Sequence, residues 1–108
     1  MTDEQQRVEV YDAWATISNT GTINQTNLTL SGYQTRTNMI NSILSASIEN
    51  GLNGVVVDFR GINNNHNFER FLIELAPRLR EIGMTTGVYI RHDADEENIR
   101  EIVDYIVM

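Results

Sequence analysis

Cysteine and lysine are both absent from this chain of 108 residues, and proline occurs only at position 77. Without cysteine there can be no disulfide bond, no thiol nucleophile and no cysteine-ligated zinc. No run of about 18 apolar residues predicts a membrane span, and the acidic, polar residues 1–6 are not typical of a signal peptide. These absences exclude several classes of protein but leave the cellular compartment open.

Positive charge is scarce, because every basic side chain is an arginine and the net charge is −7. An acidic chain without a basic patch is a poor candidate for binding phosphate backbones, so we expect no nucleic-acid partner. Asparagine is abundant, most of all over residues 63–67. These amides are typical of loops and helix caps. Sugar binding is the alternative, because an amide both donates and accepts hydrogen bonds.

Hydrophobic periodicity predicts one domain, residues 1–108, in which strands and helices alternate. The predicted strands cover residues 8–18, 54–59 and 86–90, with a last strand near Tyr105 within residues 102–108. The predicted helices cover residues 33–50 and 68–82, with a third beginning near Asp93 or Asp95. Residues 19–31 are rich in Asn, Thr and Gly and are predicted to form a loop. The order β-α-β-α-β-α-β indicates a parallel sheet with right-handed crossovers.

Local signals mark the ends of the predicted helices. Ser31 to Gln34 has the spacing of a capping box, and Gly51 and Gly83 suit helix ends because glycine accepts positive φ. Pro77 is expected to kink the second helix or divide it into two. The apolar stripe of that helix predicts its buried face, which consists of Phe68, Phe71, Leu72, Leu75, Leu79 and Ile82.

Such a sheet can be doubly wound, with helices on both faces, or can form an arc of a (β/α)8 barrel with all helices outside. Both faces of a doubly wound sheet are apolar. Here the alternation of side chains places Asp58 and Arg60 on one face of the second strand, and Trp14 and Tyr89 on the matching faces of its neighbours. A polar and aromatic face suits a barrel interior. The fold is therefore predicted to be α/β, with four parallel strands that resemble half of a (β/α)8 barrel.

The segment from Asn53 to Arg60 reads Asn-Gly-Val-Val-Val-Asp-Phe-Arg and is predicted to be a buried strand that ends in two charged residues. In parallel α/β folds, ligands bind and catalysis takes place at the C-terminal ends of the strands. Asp58 and Arg60 therefore stand where a functional site is expected.

This segment and its flanks resemble the middle of a family 18 glycoside hydrolase, a chitinase-like (β/α)8 barrel, with most similarity to the bacterial branch of spore cortex and peptidoglycan-lytic proteins. The family signature, Asp-Gly-x-Asp-x-Asp-x-Glu, ends the fourth barrel strand. Helices like those around Arg36 and after Asn67 flank it in the family. The resemblance implies that the chain covers roughly the third to the sixth strands.

The resemblance also implies a chemistry that this chain has lost. The signature glutamate protonates the glycosidic oxygen in the family, and its position here is Arg60. A guanidinium group keeps its proton at working pH and cannot serve as a general acid. Asp58 matches the aspartate beside the acid, whereas Asn53 and Val56 replace the other two. We therefore expect a non-catalytic domain with no cofactor.

Each candidate residue has a structural and a functional interpretation. Asp58 and Arg60 could form a structural ion pair, or Arg60 could hold the carboxylate of muramic acid or of a peptide stem. Trp14 and Tyr89 could stack on a sugar ring, although aromatic residues more often serve packing. His66 and His92 match no strong metal motif, so no metal site is predicted.

Three functions remain open from the sequence. The first is binding of an N-acetylglucosamine-containing glycan or peptidoglycan, which would suggest an extracellular, cell-wall or spore location. The second is a structural or assembly module without a ligand, because four barrel strands leave open edges that favour a homodimer or another domain. The third is a glycan hydrolase that uses a different carboxylate, such as Glu69 or Asp93.

Overall fold

A computed structural model describes residues 14–19, 23–90 and 96–107 of the chain. Within these residues the strands are β1 (Trp14–Ser18), β2 (Gly54–Asp58), β3 (Thr85–Tyr89) and β4 (Tyr105–Val107). The helices are α1 (Ile23–Ser31), α2 (Tyr33–Glu49), α3 (Asn65–Glu81) and α4 (Glu96–Ile102). No helix in this part of the chain is long and apolar enough to cross a membrane.

The strands form one parallel sheet in the order β1-β2-β3-β4. Ala15 pairs with Val55, and Val55 pairs with Thr86. Because right-handed crossovers between sequential parallel strands all turn the same way, they place every connecting helix on the same side of the sheet. The sheet is therefore an arc of the barrel type, as the sequence predicted, and is not doubly wound.

One face of the sheet, which we call the covered face, lies against the helices. Val55, Val57 and Val88 project from it and are fully buried. The apolar stripe of α3 belongs to the same core as these valines and supplies several of its largest buried side chains, Phe71, Leu72, Leu75 and Leu79. This core is formed by side chains of the described residues themselves.

The opposite face is the one that we call the open face. Along each strand, side chains point alternately to the covered face and to the open face. The residues that project from it are Trp14, Thr16, Ser18, Gly54, Val56, Asp58, Thr85, Gly87, Tyr89, Tyr105 and Val107. The mixture of polar, aromatic and glycine residues matches the face that the sequence predicted for a barrel interior. No described helix packs over this face, and Trp14 and Tyr105 remain 38% and 57% exposed.

Residues 23–31, which were predicted to be a loop, form helix α1 instead. Their Asn, Thr and Ser side chains favour helices little when isolated. Tertiary contacts supply the missing stability, since Thr26 and Leu30 are buried and the guanidinium of Arg36 donates to the carbonyl of Leu30 at 2.9 Å. The prediction was wrong because packing overrides local propensity.

The predicted capping box is also absent. Ser31 is the last residue of α1, and its hydroxyl donates to the carbonyl of Leu28 at 2.6 Å. Gly32 occupies the N-cap of α2 without a side-chain cap. Gln34 donates to Asn38 Oδ1, at 3.0 Å. Two helices meet at Gly32, so the serine closes one helix and does not begin the next.

Pro77 does not divide helix α3, which runs unbroken through it. Its ring is exposed, while Leu75, Ala76 and Leu79 around it are buried and hold the helix on the sheet. Ile82, predicted to complete the apolar stripe, lies past the helix end and is largely exposed. Residues 8–13 of the first predicted strand, and His92, Asp93 and Asp95, lie outside the described residues.

Candidate functional site

The C-terminal end of β2 carries the charged pair that the sequence singled out. Val56, Asp58 and Arg60 follow one another along the open face, because they are two residues apart. The Asp58 side chain is only 15% exposed, whereas that of Arg60 is 57% exposed. Arg60 Nη2 lies 4.0 Å from Asp58 Oδ2, which is a loose ion pair. The guanidinium group is therefore near a carboxylate but open to a ligand from solvent.

Phe59, between these two residues, points to the covered face. Its ring centroid lies 5.5 Å from that of Phe71 and 6.1 Å from that of Phe68, both in helix α3. These contacts anchor the chain in the core at the point where it leaves β2. The alternation thus sends Phe59 inward and the two charged side chains toward the open face.

Asn19 holds the backbone of Arg60 from the neighbouring strand. Its side-chain Oδ1 accepts from the Arg60 N–H at 2.8 Å, and its Nδ2 donates to the Arg60 carbonyl at 2.9 Å. A primary amide has the same donor and acceptor pair as a peptide group. The buried Asn19 side chain therefore continues the β1–β2 pairing beyond its last register pair, Ser18 and Asp58.

Asn27 in helix α1 holds the next part of the same loop. Its Nδ2 donates to the Gly61 carbonyl at 2.9 Å, and its Oδ1 accepts from the Asn63 N–H at 3.1 Å. Asn64 then caps helix α3 by accepting from the Asn67 N–H at 3.0 Å. We call residues 60–63 the rim loop. Its backbone is held by hydrogen bonds from Asn19 and Asn27, which are distant from it in the sequence.

The structure separates one of the four predicted ligand residues from the others. Tyr89 ends β3 at the same end of the sheet as Asp58 and Arg60. Trp14 begins β1, four residues before Ser18, which pairs with Asp58. At about 3.3 Å per residue, that is roughly 13 Å along the strand. The indole ring instead packs edge-on against Tyr105, with 5.9 Å between centroids.

Asn53 and Val56, the other two positions of the altered signature, lie away from the end of β2. Asn53 precedes the strand, and its backbone carbonyl accepts from the Thr85 N–H at 3.1 Å. Val56 is in the middle of the open face. The signature therefore runs along the whole strand, and only Asp58 and Arg60 reach its C-terminal end.

The remaining chemical candidates do not join this site. Glu69 accepts from Asn98 Nδ2 at 3.3 Å, which places its carboxylate between helices α3 and α4. His66 is exposed in the first turn of α3. Across residues 14–19, 23–90 and 96–107, no three His, Cys, Asp or Glu side chains form a group able to hold a metal.

The sequence did not point to Asn19 or Asn27. They lie 41 and 34 to 36 residues from the rim-loop groups that they bind, so no local spacing connects them to it. The abundance of asparagine was the available signal, and it predicted loop and cap chemistry. Asn64 follows that prediction as a cap within its own helix, whereas Asn19 and Asn27 act across the fold.

Comparison with solved structures identifies the class of fold. A sporulation-specific glycosylase of Bacillus subtilis aligns with a TM-score of 0.81 and 22% identity over 98% of this chain and 43% of its own. The spore cortex-lytic enzyme SleL of Bacillus cereus aligns with a TM-score of 0.77 and 20% identity, over 86% of this chain and 24% of its own. No family model and no curated protein matches the sequence.

A chitinase extends the similarity beyond bacteria. The Group IV chitinase of Ostrinia furnacalis, solved with allosamidin, has a TM-score of 0.70 and 21% identity over 76% of this chain. That alignment spans 26% of the chitinase chain. The chain thus has the fold of part of a chitinase-like barrel, as the resemblance implied, and spans less than half of the length of these structures.

Proposed function

We propose that this chain is a non-catalytic, chitinase-like domain that binds an N-acetylglucosamine-containing glycan, and peptidoglycan in particular, at the C-terminal ends of its strands. The observation that carries the proposal is the geometry of Arg60. Its backbone is held by two hydrogen bonds from Asn19, while its guanidinium group projects into solvent. The structures that share the fold include, by name, a chitinase and a cortex-lytic enzyme.

The same residue supports the proposed absence of hydrolysis. General acid catalysis needs a group that releases its proton in the transition state, and it typically contributes about 10²- to 10⁴-fold. Arg60 does not release its proton at working pH. Glu69, one substitute acid considered from the sequence, binds Asn98 in the helix layer. Asp58 is then the carboxylate at the end of β2, beside a permanent cation.

Arg60 also favours one ligand over another. A guanidinium group forms paired, charge-assisted hydrogen bonds with a carboxylate. Peptidoglycan carries carboxylates on muramic acid and on its peptide stems, whereas chitin is neutral. Tyr89 ends the next strand, β3, at the same end of the sheet. We expect tighter binding to peptidoglycan than to chitin.

A pull-down on insoluble peptidoglycan and insoluble chitin tests this function. Retention on peptidoglycan should fall by about tenfold in Arg60→Ala, which removes a charge-assisted contact. Arg78→Ala is the matched control, because Arg78 is exposed near the far end of helix α3 and its loss changes the net charge equally. Failure of the parent protein to bind either polymer, or equal retention of Arg60→Ala, would refute the proposal. Turnover of a chromogenic chitobioside would refute its non-catalytic part.

A second candidate function is assembly, and the open face is the observation that favours it. Trp14 and Tyr105 lie on β1 and β4, at the two edges of the described sheet, and both are exposed. An apolar groove of about 250 Å³ also lies between β1 and helix α2, lined by residues such as Ile17, Met39 and Ile43. Two copies related by a twofold axis could pair β1 with the partner's β4 and close eight parallel strands.

Light scattering coupled to gel filtration tests the assembly function. The expected result is a mass of two chains that becomes one chain in Trp14→Glu, because the carboxylate would lie in the closed interior. Ile73→Glu is the control, since Ile73 is exposed on helix α3 in the outer layer. A strictly monomeric parent protein at high concentration would reject this candidate.

A further inference from the structure

We infer that Asn19 and Asn27 are positioning residues that hold the rim loop, and that Asn19 sets the direction in which Arg60 meets the ligand. This inference rests on the proposed function, since it concerns the same site. Four hydrogen bonds from two side-chain amides hold the backbone of residues 60–63, at distances of 2.8 to 3.1 Å. The loop between β2 and α3 therefore has a defined path.

The amide of Asn19 matches this task chemically. Arg60 presents its backbone N–H and its backbone carbonyl on the same side, and one primary amide binds both. Aspartate would offer only acceptors, and serine or alanine could not span both groups. Because Asn19 is buried, solvent cannot easily replace it. Loss of its amide would leave two polar backbone groups of Arg60 without partners, so the loop would have to move.

The direction of the Arg60 side chain depends on this backbone. Phe59 anchors the chain on the covered face, and Asn19 fixes the next peptide group. Because Phe59 and the backbone groups of Arg60 are both held in place, the Cα–Cβ bond of Arg60 has one direction. A guanidinium group that starts from a fixed Cβ loses less conformational entropy when it binds a carboxylate. Asn19 thus acts on the ligand through Arg60, without contacting it.

Hydrogen exchange measured by NMR tests the hydrogen bonds from Asn19 to the Arg60 backbone without any ligand. In Asn19→Ala, the Arg60 amide should exchange at least about tenfold faster, since one hydrogen bond is lost, while the amides of β2 keep the parent rate. Asn41→Ala is the control, because Asn41 is exposed on helix α2. An unchanged rate for the Arg60 amide would overturn the inference.

A double-mutant cycle with soluble peptidoglycan fragments tests the action through Arg60. Asn19→Ala should weaken binding by about tenfold in the parent background and by nothing further in Arg60→Ala, because coupled residues are non-additive. Equal losses in both backgrounds would mean that Asn19 acts independently of Arg60, and would overturn the positioning role.

The outcomes separate this inference from the proposed function. If the parent protein binds no fragment, or Arg60→Ala binds as tightly as the parent, the proposed function fails whatever Asn19 does. If Arg60→Ala weakens binding but Asn19→Ala does not, only the inference fails. Should Asn19→Ala not fold, Asn27→Ala takes its place, with exchange read at the Asn63 amide, because Asn27 is only partly buried.

Discussion

The two faces of the sheet are built from alternate residues of the same strands, yet they differ in what completes them. On the covered face, Val55, Val57 and Val88 are buried by helices of the same chain. On the open face, Trp14 and Tyr105 are partly exposed, and Asp58 and Arg60 lie at the C-terminal end of β2. Most of the covered face is buried within the chain, apart from the apolar groove between β1 and helix α2, whereas no described helix packs over the open face.

The stability of the fold comes mainly from the covered face, whereas the proposed binding site lies at the end of the open face. Burying a large apolar side chain stabilises the fold by about 1.5 to 3 kcal/mol, and those contributions come mainly from the covered face. Truncation of side chains on the open face should therefore change the proposed binding more than the free energy of unfolding. Four sets of variants, given in order of decreasing effect, test this difference between the faces.

The largest effect is expected for Phe71→Ala, which empties the centre of the covered face. Phe71 is fully buried and contacts Phe59, so its truncation should cost about 3 to 5 kcal/mol in the free energy of unfolding. Tyr105→Ala, on the open face, should cost less than about 1.5 kcal/mol. Urea denaturation measures both values. Equal losses would show that the open face is as much a part of the core as the covered one.

The second effect concerns the ion pair that ties helices α2 and α3 together over the covered face. Arg36 Nε and Nη2 donate to the two carboxylate oxygens of Glu74 at 2.9 and 3.1 Å, and both side chains are largely removed from solvent. Arg36→Leu leaves this carboxylate without its partner, and we expect a loss of about 2 to 3 kcal/mol.

Arg80→Leu provides the comparison for that ion pair. Arg80 is exposed and binds Asp104 at 3.2 Å, so its loss should cost no more than about 1 kcal/mol. Thermal unfolding of both variants decides the ranking. The double variant Arg36→Leu, Glu74→Leu should recover much of the loss, and failure to do so would mean that the Leu30 carbonyl is the more important partner.

The third effect tests how tightly the open face is packed. A Cβ on Gly54 would lie 2.6 Å from Thr85 Oγ1 and 2.7 Å from the Trp14 ring, whereas one on Gly87 would have its nearest neighbour at 3.4 Å. Gly54→Ala should therefore cost about 1 to 3 kcal/mol and shift the emission of Trp14, the single tryptophan. Gly87→Ala should change neither quantity much. A silent Gly54→Ala would show that the indole moves freely on the open face.

The smallest effect is expected on the outer surface of the helix layer. Pro77 removes one hydrogen bond inside helix α3 but lies on its exposed side. Pro77→Ala should restore that bond and stabilise the protein by about 1 kcal/mol, since alanine is the better helix former. Chemical denaturation with Arg78→Ala as the neutral neighbour measures it. Destabilisation would indicate that the proline rigidifies the unfolded chain more than it weakens the helix.

The strands and their faces were predictable from the sequence because the signal is local. The alternation of Val55, Val57 and Phe59 with Asp58 and Arg60 is visible within six residues, and it predicted both faces of β2 correctly. Helix α1 was missed, because residues 23–31 have a loop-like composition and are stabilised by contacts with Arg36 in the next helix and with Gly61 in the rim loop. The serine of the expected capping box likewise serves the preceding helix.

The candidate site was predictable to a smaller degree. Alternation and strand order place Asp58, Arg60 and Tyr89 at one end of the sheet, and the structure agrees with that placement. Trp14 shares their face but lies at the other end, because the register of β1 against β2 was not visible in the sequence. The use of Asn19 and Asn27 on the rim loop depends on contacts over 34 to 41 residues.

Periodicity and residue chemistry are properties of neighbouring residues. They were enough to predict the number and order of the strands, the two faces of the sheet, and the charged pair that ends β2. Local patterns did not predict that residues 23–31 are helical, that helix α3 runs unbroken through Pro77, or that the Asn19 side chain binds the backbone N–H and carbonyl of Arg60. Helix α1 and the Asn19 contact depend on partners in other elements of the fold, and Pro77 is tolerated in a helix whose opposite face is buried. Only the folded chain brings these groups together, because a local sequence pattern does not encode contacts between separate elements.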